Sequence, residues 1–97
     1  MVTAINQQAV RALDKVLAER RQQDLKWGIQ DHQPFAWLTI LGEEFGESCQ
    51  AALRARFGGR PIEEYEREVV QVAAVAVAML ECLYRANGRG EVDYGSR

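Results

Sequence analysis

Apolar positions recur along this chain at three- and four-residue spacing, and no stretch alternates in the manner of a strand, so the pattern predicts an all-α protein. A first helix is expected from about Thr3, a residue suited to cap it, to about Leu25. Its buried stripe would be Ile5, Ala9, Val10, Leu13, Val16 and Leu17. The linker KWGIQDHQPF follows, and Pro34 suits the first turn of a second helix running to about Arg56. FGGR should close that helix, with Gly58 and Gly59 free to take positive φ. Pro61 then opens a third helix, PIEEYEREVVQVAAVAVAMLECLYRAN, ending near Asn87 and Gly88. The polar tail GRGEVDYGSR, residues 88–97, is expected to be flexible or to lie across a partner. There is no internal repeat and no domain boundary, so residues 1–97 form one domain.

Two of these helices carry acids where apolar residues are expected. At about 100° per residue, Trp37, Ile40, Leu41, Ala51 and Ala52 share one face of the second helix, and Glu44 projects from its middle. Glu47 and Glu43 lie progressively towards its edge. On the third helix Val72, Val75, Met79 and Leu83 define a core face along which Glu68 points, with Glu64 one turn earlier. Gln71 lies about 60° from Glu68, so the two can reach a common site. The third helix is also apolar nearly all round from Val69 to Leu80. Val70, Ala73, Ala74 and Val77 on its other side imply contacts with more than one neighbour, another subunit among them.

Composition narrows the setting. Ninety-seven residues are close to the smallest size at which one core suffices, so three helices completed by homo-oligomerisation, as a homodimer or homotetramer, are expected. The 47% apolar and 27% charged fractions are those of an ordinary globular chain, and a net charge of −2 offers nothing to a nucleic-acid polymer. Cys49 and Cys82 lack metal-type spacing and read as reduced, partly buried thiols of a cytoplasmic protein. The N-terminus does not have the layout of a signal peptide, and the unbroken apolar run from Val72 to Leu80 is too short to span a bilayer. No membrane association is expected.

Desolvating an unpaired carboxylate costs several kcal/mol, and neighbouring carboxylates repel one another and take up protons, so a cation belongs among these acids. Carboxylates at i and i+3 on facing helices of a bundle can hold divalent ions, and an all-oxygen set suits Mg²⁺ or Mn²⁺ better than zinc. The competing assignment pairs the same glutamates with Arg54, Arg56, Arg67 or Lys26, or leaves them on solvated faces.

The spacing E-x-x-E on one helix, some twenty residues, then E-x-x-D on the next is the signature of the MazG-like, all-α nucleoside triphosphate pyrophosphohydrolases. This chain resembles that family through Glu44, Glu47 and Glu68. The stretches ERRQQDLKWGIQDH and EYEREVVQVAAVAVAMLECL extend the likeness over most of residues 19 to 87. It departs at Gln71, which stands where the family has Asp; the amide keeps a carbonyl oxygen but removes one negative charge.

The resemblance implies magnesium-dependent hydrolysis of a nucleoside triphosphate to the monophosphate and pyrophosphate, with Glu44, Glu47 and Glu68 as metal ligands and Gln71 as an outer or weak one. Glu43 would orient or deprotonate the attacking water, or is a plain surface acid. From the linker, Lys26 would pair with phosphates and Trp27 would stack on a base whose edge Gln30 or His32 would bind. The plainer roles are Trp27 as a core plug and His32 as a structural residue. Arg85 and Asn87 are further phosphate candidates at a solvated helix end. Two other classes are a nucleotide-binding regulator with little turnover and a purely structural helical oligomer, the latter requiring arginine partners for the acids.

Overall fold

The chain enters its first helix at Asn6, whose side-chain oxygen accepts a 2.7 Å hydrogen bond from the Ala9 amide and so satisfies one of the unpaired donors of the first turn. The computed structural model describes residues 6–89, and over them it is helical with no strand. Helix α1 spans Gln7–Trp27. The expected cap at Thr3 and the residue Ile5 lie outside the described residues, and Asn6 takes the capping role. Gly28 ends α1 at φ 73°, a conformation L side chains rarely adopt, and its amide donates to the Asp24 carbonyl at 2.8 Å. Lys26 and Trp27 therefore belong to the last turn of the helix, and the linker proper begins at Gly28.

Helix α2 (Pro34–Phe57) begins with proline in its first turn, where the missing N–H would have no intrahelical acceptor. Its end divides the work of the glycine pair differently from expectation. Gly58 keeps an ordinary φ of −107° and is needed because a Cβ there would meet the Arg54 carbonyl oxygen at 3.0 Å. Gly59 alone takes the left-handed conformation, at φ 69°. Pro61 then caps α3 (Ile62–Gly88). Of the polar tail expected from residue 88, all beyond Arg89 lies outside the described residues.

Helix α3 is the central element: α1 and α2 each pack on it and not on one another. The α2–α3 core gathers Trp37, Val75, Ala78 and Cys82, with Ile40, Leu41 and Met79 packed around them. Trp37, Ile40, Leu41, Val75 and Met79 lie on the faces the helical period marks out, whereas Ala74, expected on the other side of α3, is wholly buried and Val72 and Leu83 are half-buried. Against α1 the contact is more polar than expected. Val16, Arg20 and Gln23, at i, i+4 and i+7, form the buried stripe, while Val10, Leu13 and Leu17 stay exposed. Arg20 explains the rotation. Its guanidinium reaches Glu81 of α3, at 3.0 Å from Nε, together with Gln23 at 3.1 Å and Asp24 at 3.0 Å. Charge-assisted bonds in a water-poor setting outweigh the few exposed methyl groups beside them.

By length and composition α3 could cross a membrane, since residues flanking the Val72–Leu80 run extend its apolar window. It nevertheless carries Glu68, Gln71 and Glu81, and two helices of its own chain cover part of it. Cys82 is buried and its Sγ lies 3.6 Å from the His32 carbonyl, whereas Cys49 is exposed rather than partly buried, because it sits on the side of α2 turned away from α3.

Candidate metal centre

The tight turn at Gly58 and Gly59 folds α2 and α3 against each other, so acids on their facing sides meet. Glu44 and Glu47, three residues apart on α2, and Glu68 on α3 each place a carboxylate oxygen within 4.8 Å of the others. Glu44 and Glu68 are half-buried and Glu47 is exposed. Burial pushes the Glu44 carboxyl above the usual range, and the charges of Glu47, Glu68, Glu43 and Glu19 push it further. Burial also raises Glu68, followed by its hydrogen bond and charge contact with Glu47. Desolvation leads both shifts and repulsion among the acids adds to it, with the charge of Arg67 opposing the rise at Glu68.

Arg67 shares a groove with Glu47 and Glu68 and its charge draws Glu68 down, but the other nearby cations are engaged otherwise. Among the described residues, the ion pairs are Lys15–Glu66, Arg20–Asp24, Arg20–Glu81, Arg60–Glu64 and Arg85–Asp31, and none involves Glu44, Glu47 or Glu68. Arg54 bonds Gln50, Arg56 stacks on Phe57, and Lys26 holds its ammonium 4.8 Å from the centre of the Trp27 ring. Glu64, which the helical period puts on the same side as Glu68, is claimed by Arg60 and held below the usual carboxylate range. Three hard oxygen donors from two rigid helices, short of positive charge, fit a divalent ion of the magnesium or manganese kind.

Glu44 also lines a cleft of about 210 Å³ walled by α1, the linker and α3. Gln23, Trp27, Gln30, Gln71 and Arg85 face the same space. Trp27 is 55% exposed and so is not a core plug; that place belongs to Trp37, which is 5% exposed. Gln71 does not present a free carbonyl, because its Oε1 accepts from Gln23 Nε2 at 3.3 Å. Arg85 is tied to Asp31 at 2.8 Å and to the Gln30 carbonyl at 3.0 Å, fixing the linker to the end of α3 and holding Asp31 low. Glu43 is exposed, next to Glu44 along α2. Across Glu47 and Glu68, a second groove is lined by Arg54, Arg60 and Arg67.

The cleft therefore unites Glu44, Gln71, Trp27 and Gln30, while Lys26 borders an adjoining groove on the Trp27 side. It leaves out His32, whose ring stands edge-on to Trp37 at 4.8 Å in a separate hollow with Met79 and Cys82. The residue the sequence pattern did not mark is Arg20. Its signal was the lone Glu81 inside an otherwise apolar run of α3, an acid that needs a buried cation. Trp37 Nε1 is buried with no partner, which costs about 1–3 kcal/mol. No protein-family model, curated protein or solved structure matches the chain.

Proposed function

We propose that this protein is a magnesium-dependent nucleoside triphosphate pyrophosphohydrolase, cleaving between the α- and β-phosphates to release a nucleoside monophosphate and pyrophosphate. The observation that carries the proposal is the meeting of Glu44, Glu47 and Glu68 within 4.8 Å, with the Glu44 and Glu68 carboxyls pushed above the usual range and none of the three in an ion pair among the described residues. The MazG-like spacing that these residues share adds the reaction class. Magnesium, or manganese, held by these three carboxylates would supply charge neutralisation of the triphosphate and a water made acidic enough to attack phosphorus.

The chain's own side chains divide the remaining work. Glu43, exposed beside Glu44, accepts the proton of the attacking water. Trp27 offers an indole face to the base, Gln30 hydrogen-bonds its edge, and the Lys26 ammonium pairs with phosphate when it leaves the ring. His32 serves the base only if the linker rearranges, since it faces another hollow. Arg54 and Arg67, in the groove beyond Glu47 and Glu68, suit the departing pyrophosphate. In this proposal the enzyme is a cytoplasmic homodimer or homotetramer that uses neither a membrane nor a nucleic-acid polymer.

One observation favours a second assignment, a nucleotide-binding regulator with little turnover: Gln71 spends its carbonyl oxygen on Gln23, leaving three carboxylates where the family pattern has four. A panel of ribo- and deoxyribonucleoside triphosphates assayed for pyrophosphate release with magnesium separates the two. Release with at least one nucleotide, abolished by chelator, is the expected result. Binding of the nucleotides without release selects the regulator, and neither binding nor release rejects both.

A further inference from the structure

We infer that Gln71 acts as a hydrogen-bond donor to a phosphoryl oxygen of the ligand, and not as a fourth oxygen ligand to the metal, because buried Arg20 fixes which end of its amide is free. That role rests on the three-carboxylate metal site of the proposed function and makes Gln71 a specificity-determining residue of it.

The two ends of an amide are alike in shape, and only a partner with a single possible role tells them apart. A guanidinium has donors and no acceptor. Arg20 is buried, and its Nη1 lies 3.1 Å from the Gln23 side chain, so the Gln23 atom it meets must be the carbonyl oxygen. Arg20 is itself held, with Nε donating to Glu81 at 3.0 Å and Nη2 to Asp24 at 3.0 Å. The other end of Gln23, a residue only 8% exposed, is then its NH2 group, which reaches across to Gln71 of α3 at 3.3 Å. A donor there requires an acceptor opposite. Gln71 therefore turns its Oε1 towards α1 and keeps Nε2 as its free end.

That free end has no partner within the chain. Gln71 is half-buried and borders both the cleft of Glu44, Trp27 and Gln30 and the adjoining groove of Lys26. Its Nε2 donates no hydrogen bond among the described residues. Glu68 stands one turn earlier on the same helix, which puts Gln71 at the metal end of any ligand rather than beyond it. An N–H beside a divalent ion suits an acceptor that arrives on that ion. Phosphoryl oxygens are charged, strong acceptors and natural companions of a hard cation held by carboxylates. A carboxylate at position 71 would repel them, whereas an amide turned in this way attracts them.

Binding measurements without turnover separate the donor from a metal ligand. In Gln71→Ala the dissociation constant for manganese alone, followed by the paramagnetic signal of the free ion, should stay within about twofold of the parent. Calorimetry at saturating magnesium should show inorganic tripolyphosphate, which has no base, binding about tenfold more weakly, as loss of one hydrogen bond to a charged acceptor implies. Gln23→Glu reverses the polarity, because its carboxylate accepts from Arg20 and from Gln71 Nε2 and turns the Gln71 carbonyl to the cleft. Its loss of tripolyphosphate affinity should be about tenfold larger in the parent than in Gln71→Ala, a comparison that cancels the effect of the added charge. The unaltered chain gives a check that needs no variant. Solvent exchange of the Gln71 side-chain NH2, followed by nuclear magnetic resonance, should slow by about fivefold or more with magnesium tripolyphosphate and not with magnesium alone. Weaker manganese binding with tripolyphosphate affinity unchanged would make Gln71 a metal ligand and overturns the inference. So do equal losses from Gln23→Glu in both backgrounds, unslowed exchange, a parent that binds manganese and not tripolyphosphate, or an effect of Gln71→Ala confined to nucleotides, which would assign the donor to the base. Tripolyphosphate binding that depends on Gln71, with no pyrophosphate released from any nucleotide, upholds the donor and rejects the hydrolase. A parent that binds neither manganese nor tripolyphosphate rejects both.

Discussion

At the scale of single residues, the balance at Glu44 and Glu68 decides the outcome of the simplest substitutions. Changing either to Gln keeps shape and removes a charge, so pyrophosphate release should fall by two or more orders of magnitude while the metal-free variant melts no lower than the parent. An acid held by a structural cation would behave oppositely, because its removal strands the partner. The pH dependence has a definite sign. Burial and neighbouring charge hold both carboxyls above the usual range in the folded chain, so the native state binds more protons than the unfolded one there. In chelator, stability should therefore fall as pH rises through that window and be regained on acidification to the ordinary carboxylate range. Below it, Asp31 and Glu64, held low by Arg85 and Arg60, take protons and stability is lost again. Saturating magnesium should flatten the upper slope in urea midpoints measured across pH. Trp27→Ala should raise KM for the preferred nucleotide more than it lowers kcat, since stacking acts alike on substrate and transition state; an unchanged KM in a folded variant would remove Trp27 from the binding site.

Among elements, the Arg20–Glu81 bond is the principal tie between α1 and α3. Arg20→Met should cost about 2 kcal/mol, a charge-assisted bond discounted for the partial exposure of Glu81. Adding Glu81→Met should recover part of it, because the acid is no longer stranded although the buried Gln23 oxygen still lacks its Arg20 donor; denaturant titration of the single and double variants measures this. The same pair shows where sequence periodicity reaches and where it stops. The three helices, the proline starts of α2 and α3 and the Trp37–Val75 core were legible because each follows from spacing within one element. The three-carboxylate group was legible because i and i+3 positions on facing helices converge once a short turn makes them neighbours. The rotation of α1 was not, since it depends on a partner sixty-one residues away, at Glu81, rather than on apolar spacing. Nor was the bond from Gln23 to Gln71, a pairing between two helices that no local pattern encodes.

For the whole molecule, a bound divalent ion should raise the melting temperature, adding about 2.7 kcal/mol at a concentration one hundred times its dissociation constant. How that gain is distributed follows from α1 packing on α3 alone. The three carboxylates belong to α2 and α3, so a chain whose α1 has swung away still holds the ion. The opening that frees α1 is then no harder with metal than without it. Amide hydrogen exchange should show this directly: magnesium slows exchange along α2 and α3 and leaves α1 from Ala9 to Val16 unchanged. A nucleotide resting on Trp27 and Gln30 as well must be released, at least in part, when α1 detaches. Slowed exchange in α1 with nucleotide and metal together, and not with metal by itself, would distinguish a ligand bridging all three helices from an ion clamped between two.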